Sequence, residues 1–166
     1  MKSGQHAADS VGGATQQAQP TLVVGNQYVR SVSLNVANTP HVFSLVTAAP
    51  NVRLVVDVSA RQLADNQPDF EVTLVIHAHG HLAPSTGDAA APVGVYEASV
   101  AYAGLLRVPP GAQDNLEALL LIEAPRLIFP AARSLLLTLV REAGFPVANI
   151  QPVDFVALWQ ARRAGA

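Results

Sequence analysis

Apolar and polar residues alternate with a period of two in four stretches of the chain, which is the pattern of strands that bury one face. The stretches cover about 27–37, 52–59, 70–82 and 93–108. In the third stretch one face is apolar and the other polar: Val72, Leu74, Ile76 and Ala78 against Glu71, Thr73, His77, His79 and His81. Four long strands with short or medium links predict an antiparallel meander with a crossover after strand 1. A turn is expected over 63–69, and a mobile hairpin loop over 83–92.

The apolar pattern changes to a helical period after Pro109-Pro110-Gly111. A short helix is predicted over 115–123 and the main helix over about 130–143, because proline fits the first turn of a helix. A last helix is expected after Pro152. Strands followed by helices predict an α+β fold, with the helices packed on one face of a four-stranded antiparallel sheet.

Composition favours one domain that associates with other copies. Residues 1–26 are rich in Ser, Gly, Gln and Ala without periodicity and predict a flexible N-terminal arm, followed by a single domain over 27–166. Half of the residues are hydrophobic and 13% are charged, about half of the usual share of roughly 25%. A small domain buries a limited share of its surface alone, so self-association is expected.

Several classes of function are disfavoured by the same sequence. The net charge of −2 gives no electrostatic reason for nucleic-acid binding, and the absence of cysteine excludes disulfides and thiolate metal sites. No apolar run reaches the roughly 18 residues of a membrane helix, and the N-terminus lacks the apolar stretch of a signal peptide. No nucleophile elbow, phosphate loop or dinucleotide fingerprint is present. We therefore expect a cytoplasmic protein that is not an enzyme and needs no cofactor.

Metal binding is an alternative that the third strand raises. His77, His79 and His81 project from one strand face about 7 Å apart, and histidine is a common zinc ligand. Residues along one strand diverge, however, so they seldom converge on one ion without other ligands. A solvated polar face explains the three histidines more simply.

Several motifs resemble those of one family. Asn38 to Phe43 resembles the N-x-P-x-V/I-F signature of SecB export chaperones. Ala124 to Arg133 is similar to the family's C-P-x-x-L-F-P-Y-A-R segment, with alanine for Cys and for Tyr. Phe145-Pro146 and Pro152 to Leu158 follow the family's F-P … P-V-N/D-F-x-A-L ending. The match runs from about Tyr28 to Trp159 in the right order.

The resemblance implies a holdase chaperone. SecB proteins bind unfolded precursor polypeptides in the cytosol and pass them to the motor SecA, as a homotetramer that is a dimer of dimers. The family's client groove lies between the second strand, the crossover and the last helix, and the matching residues here are Phe43, Val52, Leu54, Val56, Phe155, Leu158 and Trp159. Its subunit contacts use the fourth strand and the long helix, which correspond here to Ala98, Val100, Tyr102, Leu135, Leu136, Leu139 and Val140. For any single residue, ordinary core packing is the alternative.

The chain departs from the family where SecA binds. That face is acidic in the family, whereas the matching positions here are Ser31, Asn35 and Ser99, with Glu97 nearby. SecA binding is therefore expected to be weakened. A SecB-like chaperone not coupled to SecA, for example one controlling a toxin–antitoxin pair, is the alternative function.

Overall fold

The sheet consists of four long strands, and the computed structural model describes residues 22–83 and 91–165. The strands are β1 (Val23–Val36), β2 (Asn51–Gln62), β3 (Asp69–Leu82) and β4 (Val93–Arg107). All neighbours pair antiparallel in the order β1-β4-β3-β2. The predicted α+β fold and the crossover after strand 1 are confirmed, and β1 and β2 form the two edges of the sheet.

The chain enters the sheet earlier than the alternation indicated. Leu22 is buried and β1 begins at Val23, four residues before the predicted start at Gln27. The rest of the predicted arm, residues 1–21, lies outside the described residues, as does 84–90 of the predicted hairpin loop. The early start was missed because Gly25, Asn26 and Gln27 interrupt the apolar pattern.

One helical path follows the sheet where two separate helices were predicted. After the one-turn helix α1 in the crossover (Val42–Leu45), helical structure runs without a break through α2 (Leu116–Ala118), a π-helical turn (Leu119–Glu123) and α3 (Ala124–Glu142). Pro125 lies in the first turn of α3, and Pro130 lies inside it. The predicted break before 130 is therefore wrong.

Burial explains why Pro130 does not end α3. The proline removes a hydrogen bond at a cost of about 3 kcal/mol. Ile128 and Leu136 flank it with no exposed surface, and Phe129 is 8% exposed. Each such side chain contributes about 1.5–3 kcal/mol when buried, so packing against the sheet outweighs the local defect.

The core lies between α3 and one face of the sheet. Val72, Leu74, Ile76 and Val100 have no exposed surface on this helix-facing side. The face of β3 predicted to be apolar is therefore buried, as the alternation indicated. The opposite side of the sheet, called here the outer face, carries the polar residues of β3.

The last helix, α4 (Phe155–Ala164), starts at a well-formed cap. The Asp154 carboxylate accepts hydrogen bonds of 3.0 Å from the main-chain N–H groups of Val156 and Ala157. Such a cap satisfies donors that a helix leaves unpaired in its first turn. Among the described residues, no helix is long and apolar enough to cross a membrane.

Candidate polypeptide-binding site

The three predicted contact residues of β2 form a row at the free edge of the sheet, on its helix-facing side. Val52, Leu54 and Val56 are half-buried. They stand opposite small or apolar residues of β3: Gly80, Ala78 and Ile76 respectively. The row is therefore apolar and partly accessible.

An aromatic cluster lies at the crossover end of this row. Phe43 of α1 is 42% exposed, and its ring centroid is 5.4 Å from that of Phe145. The Tyr96 ring lies 5.0 Å from Phe145 and covers Gly80, where a Cβ atom would stand 2.3 Å from Tyr96 Cε1. Because Gly80 stands opposite Val52, the cluster adjoins the start of the row.

The residues predicted on α4 divide into one anchor and two surface residues. Phe155 is 1% exposed and packs edge-on against Phe129 at 5.8 Å, so it holds α4 on the core. Leu158 and Trp159 are half-buried and line a narrow cleft with Val58 of β2. They therefore lie at the far end of the row that starts at Val52.

Trp159 is held on two sides by polar partners. Its indole N–H donates a hydrogen bond of 3.0 Å to Glu117 Oε1, and the Arg163 guanidinium lies 4.8 Å from the ring centroid. The hydrogen bond to Glu117 fixes α4 against α2, the helical turn that precedes the π-helical segment, whereas the contact with Arg163 lies within α4. Part of the indole surface predicted to contact a client is thus used within the chain.

The structure brings six of the seven predicted contact residues to one strip of surface and places Phe155 beneath it. Val52 and Val58 are six positions apart, a distance of about 20 Å along a strand. The strip has Phe43 at one end and Leu158 with Trp159 at the other. It matches the dimensions of an extended segment of about six residues.

Most of the residues predicted for subunit contacts have little exposed surface in the single chain. Ala98, Val100, Leu136 and Val140 are at most 4% exposed within this single chain, so they pack in its own core. Tyr102, Leu135 and Leu139 are half-buried and keep some free surface. Because β4 is paired with β1 and β3 on its two sides, it has no free edge for a second copy. In the single chain, Ala98 and Val100 of β4 pack in the core, Tyr102 keeps some free surface, and the edge strand next to β4 is β1.

The three histidines lie on the outer face, as predicted. His77 and His79 are exposed and stand opposite Ser99 and Glu97 of β4, and His79 Nδ1 is 3.6 Å from Glu97 Oε1. Within residues 22–83 and 91–165, no group of three His, Cys, Asp or Glu side chains could hold a metal ion. The geometry gives the metal alternative no support in this part of the chain.

A buried carboxylate on the outer face was not anticipated from the sequence. Glu71 of β3 is 5% exposed and accepts hydrogen bonds of 2.6 Å from both the Tyr28 hydroxyl and Arg61 Nη2. Arg30 Nη1 lies 3.9 Å from Glu71 Oε2. The hydrogen bond from Tyr28, followed by that from Arg61, lowers the pKa of Glu71 and outweighs the effect of burial. This network links both edge strands to β3.

A cleft of about 650 Å³ opens at the opposite end of the sheet from α1. It lies between Val23, Phe70, Pro110 and Leu116, and none of the predicted contact residues lines it. A pattern of alternation could not have found it, because it is formed by the ends of several elements.

Comparison with known proteins decides the family. The family model described as "Preprotein translocase subunit SecB" matches residues 15–166. The chain belongs to the SecB family. The protein-export protein SecB of Granulibacter bethesdensis is 42% identical over 148 residues, covering 89% of this chain and 85% of that protein. That of Acidiphilium cryptum is 39% identical over 155 residues, covering 90% and 92%. The resemblance drawn from the motifs, and the chaperone class it implied, are confirmed.

A solved structure agrees with the fold. The SecB-like chaperone of Mycobacterium tuberculosis, determined in complex with a peptide from an antitoxin, aligns with a TM-score of 0.62 over 80% of this chain and 90% of that chain. Its sequence is 12% identical, so the likeness concerns the fold.

Asn35 and Ser99, which were expected to correspond to the family's acidic face, lie on the outer face. Ser33 stands opposite Ser99, and Asn35 stands opposite Glu97. Glu97 is 74% exposed at its side chain. Among the described residues, the outer face thus presents amide, hydroxyl and imidazole groups around the exposed carboxylate of Glu97 at this end of β1 and β4.

Proposed function

We propose that the protein is a holdase that binds unfolded or precursor polypeptides in the cytoplasm and keeps them competent for export by the Sec pathway, without catalysis or cofactor. The observation that carries the proposal is the apolar strip along β2, which joins Phe43 at one end to Leu158 and Trp159 at the other. An extended chain offers apolar side chains at alternate positions, and such a strip binds them without reading a particular sequence.

The proposed assembly is a homotetramer formed as a dimer of dimers. The edge strand β1 carries exposed Val29 and Val32, which are 45% and 47% exposed, and an exposed apolar edge favours pairing with another chain. On α3, Leu127 is 49% exposed, and Leu135 and Leu139 are half-buried. Several copies would multiply weak contacts with one long client.

Transfer to SecA is proposed to be weaker than in the rest of the family. Electrostatic complementarity raises association rates and fixes orientation, and it needs charges on the docking face. Ser31 and Ser99 on the outer face provide none. The same observation supports the second candidate, a SecB-like chaperone that serves another partner, such as a toxin–antitoxin pair.

Suppression of aggregation tests the holdase directly. Light scattering of an unrelated, chemically unfolded protein should fall when this protein is added without nucleotide. The variant Leu54→Asp, which puts a charge into the strip, should lose the effect, whereas Ser33→Asp on the outer face should keep it. Equal aggregation with and without the wild-type protein would rule the holdase out.

Size-exclusion chromatography with light scattering, with and without SecA, separates the two candidates. A tetramer that co-elutes with SecA supports the export chaperone. A tetramer that does not bind SecA favours the second candidate, and a monomer contradicts the proposed assembly.

A further inference from the structure

Three histidines stand in one line on the outer face, at the end of β3 that lies nearest the crossover. His77 and His79 are exposed, and His81 is half-buried opposite Asn51, the first residue of β2. Side chains on one face of a strand repeat about every 6.6 Å, so the line is about 13 Å long. These three imidazoles are called here the histidine row.

Two charged residues face the histidine row from the neighbouring strands. His79 lies between Arg53 of β2 and Glu97 of β4, and its Nδ1 is 3.6 Å from Glu97 Oε1. In the described part of the chain, Arg53 forms no ion pair. The other residues that stand opposite the row are neutral: Val55, Ser99, Asn51 and Gly94. While the imidazoles are neutral, the charges of Arg53 and Glu97 therefore cancel.

Outer-face carboxylates further from the row already have a guanidinium beside them. These ion pairs are Glu71 with Arg61, Asp69 with Arg107 and Asp57 with Arg162. Histidine is the side chain that ordinarily gains its proton between about pH 8 and pH 5. Protonation of the row thus adds up to three positive charges beside Arg53, and Glu97 is the one carboxylate that faces them among the described residues.

We propose that the histidine row, together with Arg53, is a docking surface that binds an acidic polypeptide segment in mildly acidic solution and releases it as the pH rises. The inference goes beyond the holdase function and does not rest on it. An extended segment with carboxylates at alternate positions repeats its charges about every 6.6 Å, which matches the spacing of the row. Complementary charges of this kind steer association and fix the register of the partner.

The position of the row separates this surface from the apolar strip along β2. The row lies on the outer face, whereas Val52, Leu54 and Val56 lie on the helix-facing side of the sheet. An acidic segment therefore does not compete with a client for the strip. A nucleic acid fits less well, because its binding requires several phosphates to be neutralised at once, and the chain carries a net charge of −2.

Fluorescence anisotropy of a labelled peptide of alternating Glu and Ser tests the surface at about pH 5.5 and about pH 8 in low salt. The peptide keeps its charges at both values, because the ordinary pKa of glutamate is about 4.3. Each exposed pair of opposite charges contributes a small factor, so three together should tighten binding on the order of tenfold at the lower pH. About 0.5 M salt should remove this gain. Equal affinities at the two pH values, no binding, or a gain that survives salt would overturn the inference.

Variants assign the effect to the row. Glutamine in place of all three histidines (His77→Gln, His79→Gln and His81→Gln) should abolish the dependence on pH. His41→Gln is the matched control, since His41 is exposed in the crossover, and it should behave as the wild type. Glu97→Gln should bind the peptide more tightly at both pH values, because it removes the carboxylate that faces the row. A single-stranded oligonucleotide of the same charge that binds as tightly as the peptide would contradict the assignment to an acidic polypeptide.

NMR of the imidazole C–H groups gives a second readout that needs no substitution. Adding the peptide to the wild-type protein at about pH 5.5 should shift the resonances of His77, His79 and His81 and leave those of His41 in place. Binding that shifts the His41 resonances alone, or none of the four, would place the peptide elsewhere and overturn the inference.

Discussion

Replacing Glu71 by glutamine tests the outer-face network, because it removes one charge and leaves the shape of the side chain. Glu71 is 5% exposed and accepts from Tyr28 at 2.6 Å and from Arg61 at 2.6 Å and 3.2 Å. Hydrogen bonds to charged groups contribute more than neutral ones, although the exposure of Arg61 reduces its share. Glutamine still accepts from Tyr28, so we expect Glu71→Gln to lower the free energy of unfolding by about 1–2 kcal/mol.

The loss of stability caused by Glu71→Gln should depend on pH, and the pKa of Glu71 determines whether the loss grows or shrinks as the pH falls. The pKa of Glu71 in the folded protein lies below its ordinary value of 4.5. Its stabilising effect is therefore fully present above the pKa of the unfolded chain and is lost as the pH falls through the folded value. The difference between wild type and Glu71→Gln should be full near neutral pH and should close as the solution is acidified below pH 4.5.

Thermal unfolding at fixed protein concentration measures this difference. For a chain of this size, about 1–2 kcal/mol corresponds to a decrease in Tm of roughly 2–8 °C. Glu97→Gln, on the same face but 74% exposed, is the control and should leave Tm unchanged. An equal Tm for Glu71→Gln and the wild type near neutral pH would refute this expectation. A difference in Tm that stays the same in acid would refute it as well.

Three further substitutions test the packing at Gly80, the cap of α4 and the subunit contact proposed for α3. Gly80→Ala should destabilise the protein by about 1–3 kcal/mol, because the new methyl group would overlap the Tyr96 ring; Gly94→Ala, with open space around it, is the control for the same thermal melt. Asp154→Ala removes both hydrogen bonds of the α4 cap and should cost about 1 kcal/mol in chemical denaturation; an unchanged midpoint would contradict the capping role. Leu139→Asp should reduce the molar mass measured by light scattering, and an unchanged mass would remove Leu139 from the subunit contact.

Alternation along single strands predicted which residues face the core, because that property depends on local spacing alone. Val72, Leu74 and Ile76 are buried as the pattern of β3 indicated. The same reasoning misjudged Pro130, since a local rule about proline does not include the apolar area that α3 buries against the sheet. The interface residues Ala98 and Val100 were assigned from the family resemblance, and burial in the single chain shows that they serve the core first.

Contacts between distant segments could not be predicted from the sequence. Arg162 and Val58 are 104 residues apart, and Tyr28 and Glu71 are 43 apart. Each pair meets only because the strand order and register bring the segments together. The contact between Arg162 and the edge of β2 can therefore be recognised only in the folded structure.

Photo-crosslinking of an unfolded polypeptide tests the central claim most directly. A photoreactive amino acid replaces Leu158, beside the strip on β2, or Ser33, on the outer face, in proteins whose molar mass matches the wild type. We expect crosslinks to the client from position 158 and none above background from position 33. Crosslinks from position 33 alone, or equally from both positions, would contradict a client held along β2 and α4.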